Sequence, residues 1–223
     1  MGAEGHSFLT LACFFIFSIV SLFSLFLLFL LFYLMILCGN TAIIWVVCTH
    51  SVLRTPMYFF LSNLSFVEIC YTTVVVPLML SNIFGAQKPI PLAGCGAQMF
   101  FFLTLGGADC FLLAIMAYDR YVAICKPLHY MTIMNQCVCA LLMGVVWMGG
   151  FLHATIQILF IFQLPFCGPN VIDHFMCDLN PLLNLACTDT HMLGLFIAAN
   201  SGFICLLNFV LLLVSYVVIL RSL

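Results

Sequence analysis

Five stretches of this chain are long enough to cross a lipid bilayer and almost free of charge. Residues 7–49 carry no Asp, Glu, Lys or Arg; residues 57–80 carry only Glu68 and 96–118 only Asp109; 139–162 and 193–220 carry none. A membrane-spanning helix needs about 20 predominantly apolar residues. Of the 223 residues, 66% are hydrophobic and 5% charged, against about 25% charged in a soluble domain. Too few charges remain to cover a water-facing surface, which excludes a cytosolic enzyme and a nucleic-acid binder. A disordered chain is excluded by the high hydrophobicity. Outer-membrane β-strands alternate over ~10-residue segments, whereas these runs are longer and solidly apolar. The sequence therefore predicts an all-α, polytopic transmembrane bundle with spans over about 24–48, 57–80, 96–120, 139–162 and 194–220.

Lys and Arg fix the orientation. The links after the first, third and fifth spans hold Arg54, then Arg120 and Lys126, then Arg221, while those after the second and fourth hold Lys88 alone. Odd-numbered spans should therefore end in the cytoplasm, with the N-terminus outside. The start of the chain is unusual. Residues 7–49 as one helix would reach about 64 Å, twice the hydrocarbon thickness of about 30 Å. Residues 1–23 form an atypical hydrophobic segment, either signal-like, or the surplus of an overlong or interfacial helix. A hairpin there would lack turn residues, since no Gly or Pro falls between Ser7 and Cys38.

Residues 116–130 read Met-Ala-Tyr-Asp-Arg-Tyr-Val-Ala-Ile-Cys-Lys-Pro-Leu-His-Tyr. This segment resembles the end of the third helix of olfactory receptors, within the rhodopsin-like G-protein-coupled receptors. Further matches follow in order: Gly39-Asn40, Leu53-Arg54-Thr55-Pro56-Met57-Tyr58-Phe59-Phe60-Leu61, Cys95, His174-Phe175-Met176-Cys177-Asp178, Ala186-Cys187-Thr188-Asp189-Thr190 and Ser215-Tyr216. The resemblance covers about residues 25–223 and implies helices one to five of a seven-helix receptor, so residues 24–223 read as a truncated receptor domain. The family's outer N-terminal glycosylation site has no counterpart; the sequon here, Asn63-Leu64-Ser65, lies inside a span.

On the residues alone, Arg120 reads as a side chain snorkelling to the headgroups. The resemblance implies more. Asp119 would hold Arg120 at rest, and the Asp119-Arg120-Tyr121 segment would face a heterotrimeric G protein on activation. Tyr216 would steady Arg120 in the active arrangement, and Lys126, Pro127 and Leu128 would form the loop that touches the G protein.

Glu68 and Asp109 lie about 16 Å and 15 Å deep, counted from Met57 and from Asp119. A lone charge at that depth costs at least ~2.5–3.5 kcal/mol, so each should face the bundle with a partner or a proton. Asn40 lies at a matching depth. The resemblance implies an intramembrane cation pocket for sodium formed by Asn40, Glu68 and Asp109; a structural, protonated pair and a proton relay are the rival readings. An intramembrane aspartyl protease is excluded, because Gly106-Gly107-Ala108-Asp109 does not match its motif and no second Asp lies deep within a span, Asp119 being at the cytoplasmic end of the third.

Cys95, Cys167, Cys177 and Cys187 fall on the outer, oxidising side, where disulfides persist. Four cysteines allow three connectivities; the resemblance selects Cys95–Cys177 and Cys167–Cys187. A metal site at His174, Cys177 and Asp178 would compete with that bridge for Cys177. The resemblance also implies a ligand site between the outer halves of spans three, four and five, lined by Phe102, Leu103, Gly106, Gly107, His153, Asn200, Ser201 and Ile204, with Gln157 one turn from His153. Ordinary helix packing is the bland reading for each.

The function implied is odorant detection at the plasma membrane. A small volatile odorant would be the ligand, a stimulatory, olfactory-type G protein the partner, and no enzyme activity or nucleic acid would be involved. The rivals are a truncated, signalling-incompetent product, retained in the cell or acting through other receptors, and a small ion or proton transporter using Glu68 and Asp109.

Overall fold

The computed structural model describes residues 3–84, 92–165, 182–183, 186–188 and 190–222, with side chains from residue 21 onward. Its elements are helical: α1 (Ala3–Thr49), α2 (Pro56–Phe84), α3 (Leu92–Cys125), the single turn α4 (Tyr130–Ile133), α5 (Gln136–Phe162) and α6 (His191–Ser222). Short 3-10 turns, Ser51–Leu53 and Pro127–His129, lie at the end of the bundle that the Lys and Arg pattern leads us to expect in the cytoplasm, called its inner end. Among the described residues, five helices are long and apolar enough to cross a membrane.

Local chemistry explains the boundaries. Leu, Phe, Ile, Val and Ala surround each helix on all sides, as a lipid-bathed helix requires. Pro56 opens α2, where its missing N–H costs nothing. Asn135 caps α5 by accepting a hydrogen bond from the Val138 N–H at 3.0 Å, as Asn does for a helix start. The helices α2, α3, α5 and α6 run up to five residues past the expected spans. The helix α1 is unbroken from Ala3 to Thr49, about 70 Å at 1.5 Å per residue, and no turn divides it.

The central element is α3, which packs on α2, α5 and α6, while α1 packs on α2. The main core holds Phe60, Val67, Leu105, Ala108, Leu112, Val122, Met143 and Val146. A second cluster at the outer end joins Cys95, Met99, Ile161, Leu182 and Ile197. The contact of α3 with α5 is close enough to require glycine: a Cβ on Gly150 would fall 2.5 Å from the Thr104 carbonyl oxygen and 3.0 Å from the Ala108 nitrogen. Small residues that bring backbones together are how helices associate in lipid. Beside this apolar core, several polar side chains are buried and many large apolar ones face outward. Asn40, Ser65, Thr104, Asp119, Gln157 and Asn208 are buried, while Leu141, Met148, Phe203 and Leu206 are exposed, as expected where the surrounding solvent is hydrocarbon.

Candidate functional site

Three groups of polar side chains interrupt the apolar bundle, at its inner end, its middle and its outer half.

At the inner end, Asp119 is 2% exposed. Its Oδ1 accepts a hydrogen bond from the Tyr130 hydroxyl at 2.9 Å. Tyr130 lies outside the spans; its burial and the Asp119 carboxylate beside it push its phenol above the ordinary range. The Arg120 guanidinium turns elsewhere and donates to the Met57 sulfur. The hydrogen-bond partner of Asp119 is thus Tyr130, and that of Arg120 is Met57. The reason is helical: successive side chains point about 100° apart, so an inward Asp119 leaves its neighbour at the rim. The same geometry governs Ser215 and Tyr216. The Ser215 hydroxyl donates to the Ala117 carbonyl at 3.0 Å and ties α6 to α3, whereas Tyr216 is 63% exposed. Tyr121 is half-buried, its ring 6.4 Å from that of Tyr118. Both tyrosines line a cleft of about 500 Å³ with Ala117, Leu211 and Ser215 between α3 and α6. Lys126 is exposed just before the Pro127–His129 turn, and Leu128 is 93% exposed.

In the middle, the Asn40 amide donates to Glu68 Oε2 at 2.8 Å. Asn40 is buried and Asp109 half-buried, but Glu68 is exposed on the described bundle rather than turned into it. It meets α1 through Asn40 and is otherwise exposed. As donors, two carboxylates and an amide oxygen suit a hard cation, and Asn40 engages only one Glu68 oxygen. Among the described residues no three His, Cys, Asp or Glu side chains come together as a metal site.

In the outer half, Gln157 is 1% exposed. Its amide nitrogen lies 3.0 Å from His153 Nε2 and 3.2 Å from the Ser201 hydroxyl, linking α5 to α6. Gln157 Oε1 and Thr104 Oγ1 are buried without a hydrogen-bond partner. Exchanging the amide oxygen and nitrogen would satisfy the oxygen but strand the two N–H donors instead. The expected ligand residues divide between two faces of α3. Phe102 stacks on Tyr71 of α2 at 5.0 Å, and a Cβ on Gly106 would meet Tyr71 at 3.6 Å. A Cβ on Gly107 would instead meet Gly150 at 3.2 Å and His153 at 3.6 Å. Leu103, Asn200, Ser201 and Ile204 are half-buried.

Cys95 and Cys187 are each disulfide-bonded. Cys167 and Cys177, with His174 and Asp178, lie outside the described residues.

Residues 39–223 match the family model of the 7 transmembrane receptor (rhodopsin family). The chain is 66% identical over 187 residues to human Olfactory receptor 10Q1, covering 83% of the chain and 58% of that relative. It is 52% identical over 189 residues to human Olfactory receptor 4S2, covering 85% and 61%, and 52% identical over 187 residues to mouse Olfactory receptor 4B13, covering 84% and 61%. The chain belongs to the olfactory receptors of the rhodopsin family. These receptors are not enzymes. The chain spans about three-fifths of the length of these curated relatives. Within this olfactory-receptor chain, the motif residues Asp119 and Arg120 were legible in the sequence, but their partners Tyr130 and Met57 were not, nor were Tyr71 beside Phe102 and Thr104 at the Gly150 seam. Tyr130 and Met57 had a signal, since each lies in a matched segment, 116–130 and 53–61.

Proposed function

We propose that this chain carries the odorant-recognition and G-protein-facing parts of an odorant receptor of the plasma membrane, with its N-terminus outside. The observation that carries the reading is the buried Gln157–His153–Ser201 network with its unpartnered amide atom. A polar atom buried without a partner is costly, and a small ligand with one polar group in an apolar surround would relieve it. Thr104 adds a second unpartnered hydroxyl. Ligand binding would favour one helix arrangement over another, and the readout inside would run through the Asp119-Arg120-Tyr121 segment, Lys126 and the protruding Leu128 to a stimulatory heterotrimeric G protein. The outer bridges would pair Cys95 with Cys177 and Cys167 with Cys187. Asn40, Glu68 and Asp109 would hold a sodium ion, whose single positive charge would offset one of the two carboxylates.

The test is a chimera in which residues 39–223 replace the matched part of Olfactory receptor 10Q1, expressed at the cell surface and screened with odorants for a cyclic-nucleotide rise. A response that disappears with Arg120→Ala and shifts its odorant range with Gln157→Leu supports the reading. A surface-delivered chimera whose response is indifferent to both substitutions sinks it.

A further inference from the structure

The inner end of the bundle holds a second cleft, apart from the residues assigned to ligand and G protein. It measures about 720 Å³ and lies where the end of α1, the Ser51–Leu53 turn and the starts of α2 and α5 meet. Val47, Phe59, Met134 and Ala140 give it apolar walls, and Arg54 stands at its edge. None of the lining residues is acidic, and Arg54 is exposed. Two other polar lining groups are already engaged: the Ser62 hydroxyl donates to the Phe59 carbonyl at 2.9 Å, and Asn135 caps α5. The guanidinium is therefore a fixed positive charge beside an apolar cavity.

We propose that this cleft binds one anionic phospholipid of the cytoplasmic leaflet, with its phosphate and headgroup on Arg54 and an acyl chain along Val47, Phe59 and Ala140. Charge and polarity both select this occupant. A guanidinium matches phosphate oxygens with two parallel hydrogen bonds, and the cytoplasmic leaflet is the anionic one. Arg54 lies two residues before the first residue of α2, at the depth where headgroup and hydrocarbon meet, so one amphipathic molecule can satisfy the cation and the apolar wall together. A sterol would leave the cation unmatched, and a water-soluble phosphate would leave the apolar wall wet. The proposal rests on the orientation above, which puts Arg54 at the cytoplasmic surface. Binding in a symmetric bilayer does not depend on that orientation, so the two can fail separately.

The chain is placed in nanodiscs of phosphatidylcholine containing a minor share of phosphatidylserine, then released, and its retained lipids are counted by native mass spectrometry. Phosphatidylserine should be enriched roughly fivefold over its bilayer share, the worth of one basic residue near the surface. Arg54→Gln should abolish the enrichment, Ala140→Phe should reduce it with Arg54 intact, and Arg221→Gln should leave it unchanged. On the unaltered chain, phosphatidylserine should slow maleimide labelling of Cys48, which lines the cleft, but not of Cys38. Equal retention by the chain and Arg54→Gln, an equal loss with Arg221→Gln, or Cys48 labelling indifferent to phosphatidylserine overturns the site. A sterol retained in place of the phospholipid overturns the choice of occupant.

Discussion

The Tyr130 hydroxyl reaches back from the second inner link to Asp119 in α3, 2.9 Å away, and ties that link to the helix carrying the receptor motif. Asp119 is 2% exposed, so losing this donor leaves a buried carboxylate oxygen unsatisfied, worth about 1–3 kcal/mol. Tyr130→Phe should lower the thermal midpoint in nanodiscs accordingly. In the Asp119→Asn background the same substitution should cost less, since a neutral amide needs the hydroxyl less. Additive losses in that double-mutant cycle would mean the two side chains do not act as a pair.

The same contact predicts a pH response. The Tyr130 phenol is raised above its ordinary value by burial and by Asp119, so the folded state holds this proton more tightly than the unfolded chain does. The stability it contributes is complete below the ordinary phenol value of about 10 and is lost as pH rises above that toward the raised value. Thermal midpoints measured across this alkaline window should fall more for the unaltered chain than for Tyr130→Phe. Parallel curves would contradict the assignment.

Glycine at the seam of α3 and α5 is a steric requirement. A Cβ on Gly150 would lie 2.5 Å from the Thr104 carbonyl oxygen, a backbone atom that cannot swing aside, whereas a Cβ on Gly144 meets nothing within 4 Å. Gly150→Ala should destabilise by about 1–3 kcal/mol through overpacking, while Gly144→Ala should be neutral or mildly stabilising. Thermal unfolding of the two variants side by side decides it; equal midpoints would refute the close approach.

Cys95 and Cys187 are both disulfide-bonded, whereas Cys38 and Cys70 are free thiols. Loss of a native bridge costs about 2–5 kcal/mol. Cys95→Ser and Cys187→Ser should therefore cut surface delivery sharply, and Cys38→Ser and Cys70→Ser should not. Flow cytometry of tagged variants reads this directly, and equal delivery of all four would remove the bridges from the account of folding.

What the sequence made legible follows from the scale of each signal. Spans were visible because twenty or more consecutive apolar residues are a bulk property, and Asp119-Arg120 because a motif is contiguous. Helix rotation was not visible. Whether Phe102 faces Tyr71 or the α5 seam, or whether Ser215 or Tyr216 turns inward, depends on a 100° step per residue against neighbours far away in the chain. Thr104 and Tyr71 were passed over for the same reason: a Thr or Tyr in an apolar helix has no sequence mark until the facing helix is known.

Rotation also bears on signalling by residues 1–223 expressed as such. Glu68 is exposed on the described bundle, Tyr216 is 63% exposed, and the cleft of about 500 Å³ beside Tyr121 is walled by α3 and α6 alone. Arg120 rests on Met57, on the α2 side, and does not line that cleft. A charged side chain that meets lipid within a span costs at least ~2.5–3.5 kcal/mol, which favours misassembly of a bundle that leaves Glu68 exposed. We therefore expect intracellular retention and no odorant-evoked cyclic-nucleotide rise from these residues alone. Supplying in trans a fragment with the last two helices of a relative such as Olfactory receptor 10Q1 should improve surface delivery, because it gives the exposed Glu68 a further protein neighbour. A ligand-dependent response from residues 1–223 alone, lost with Arg120→Ala, would show that five helices suffice and that the exposed Glu68 carries no cost.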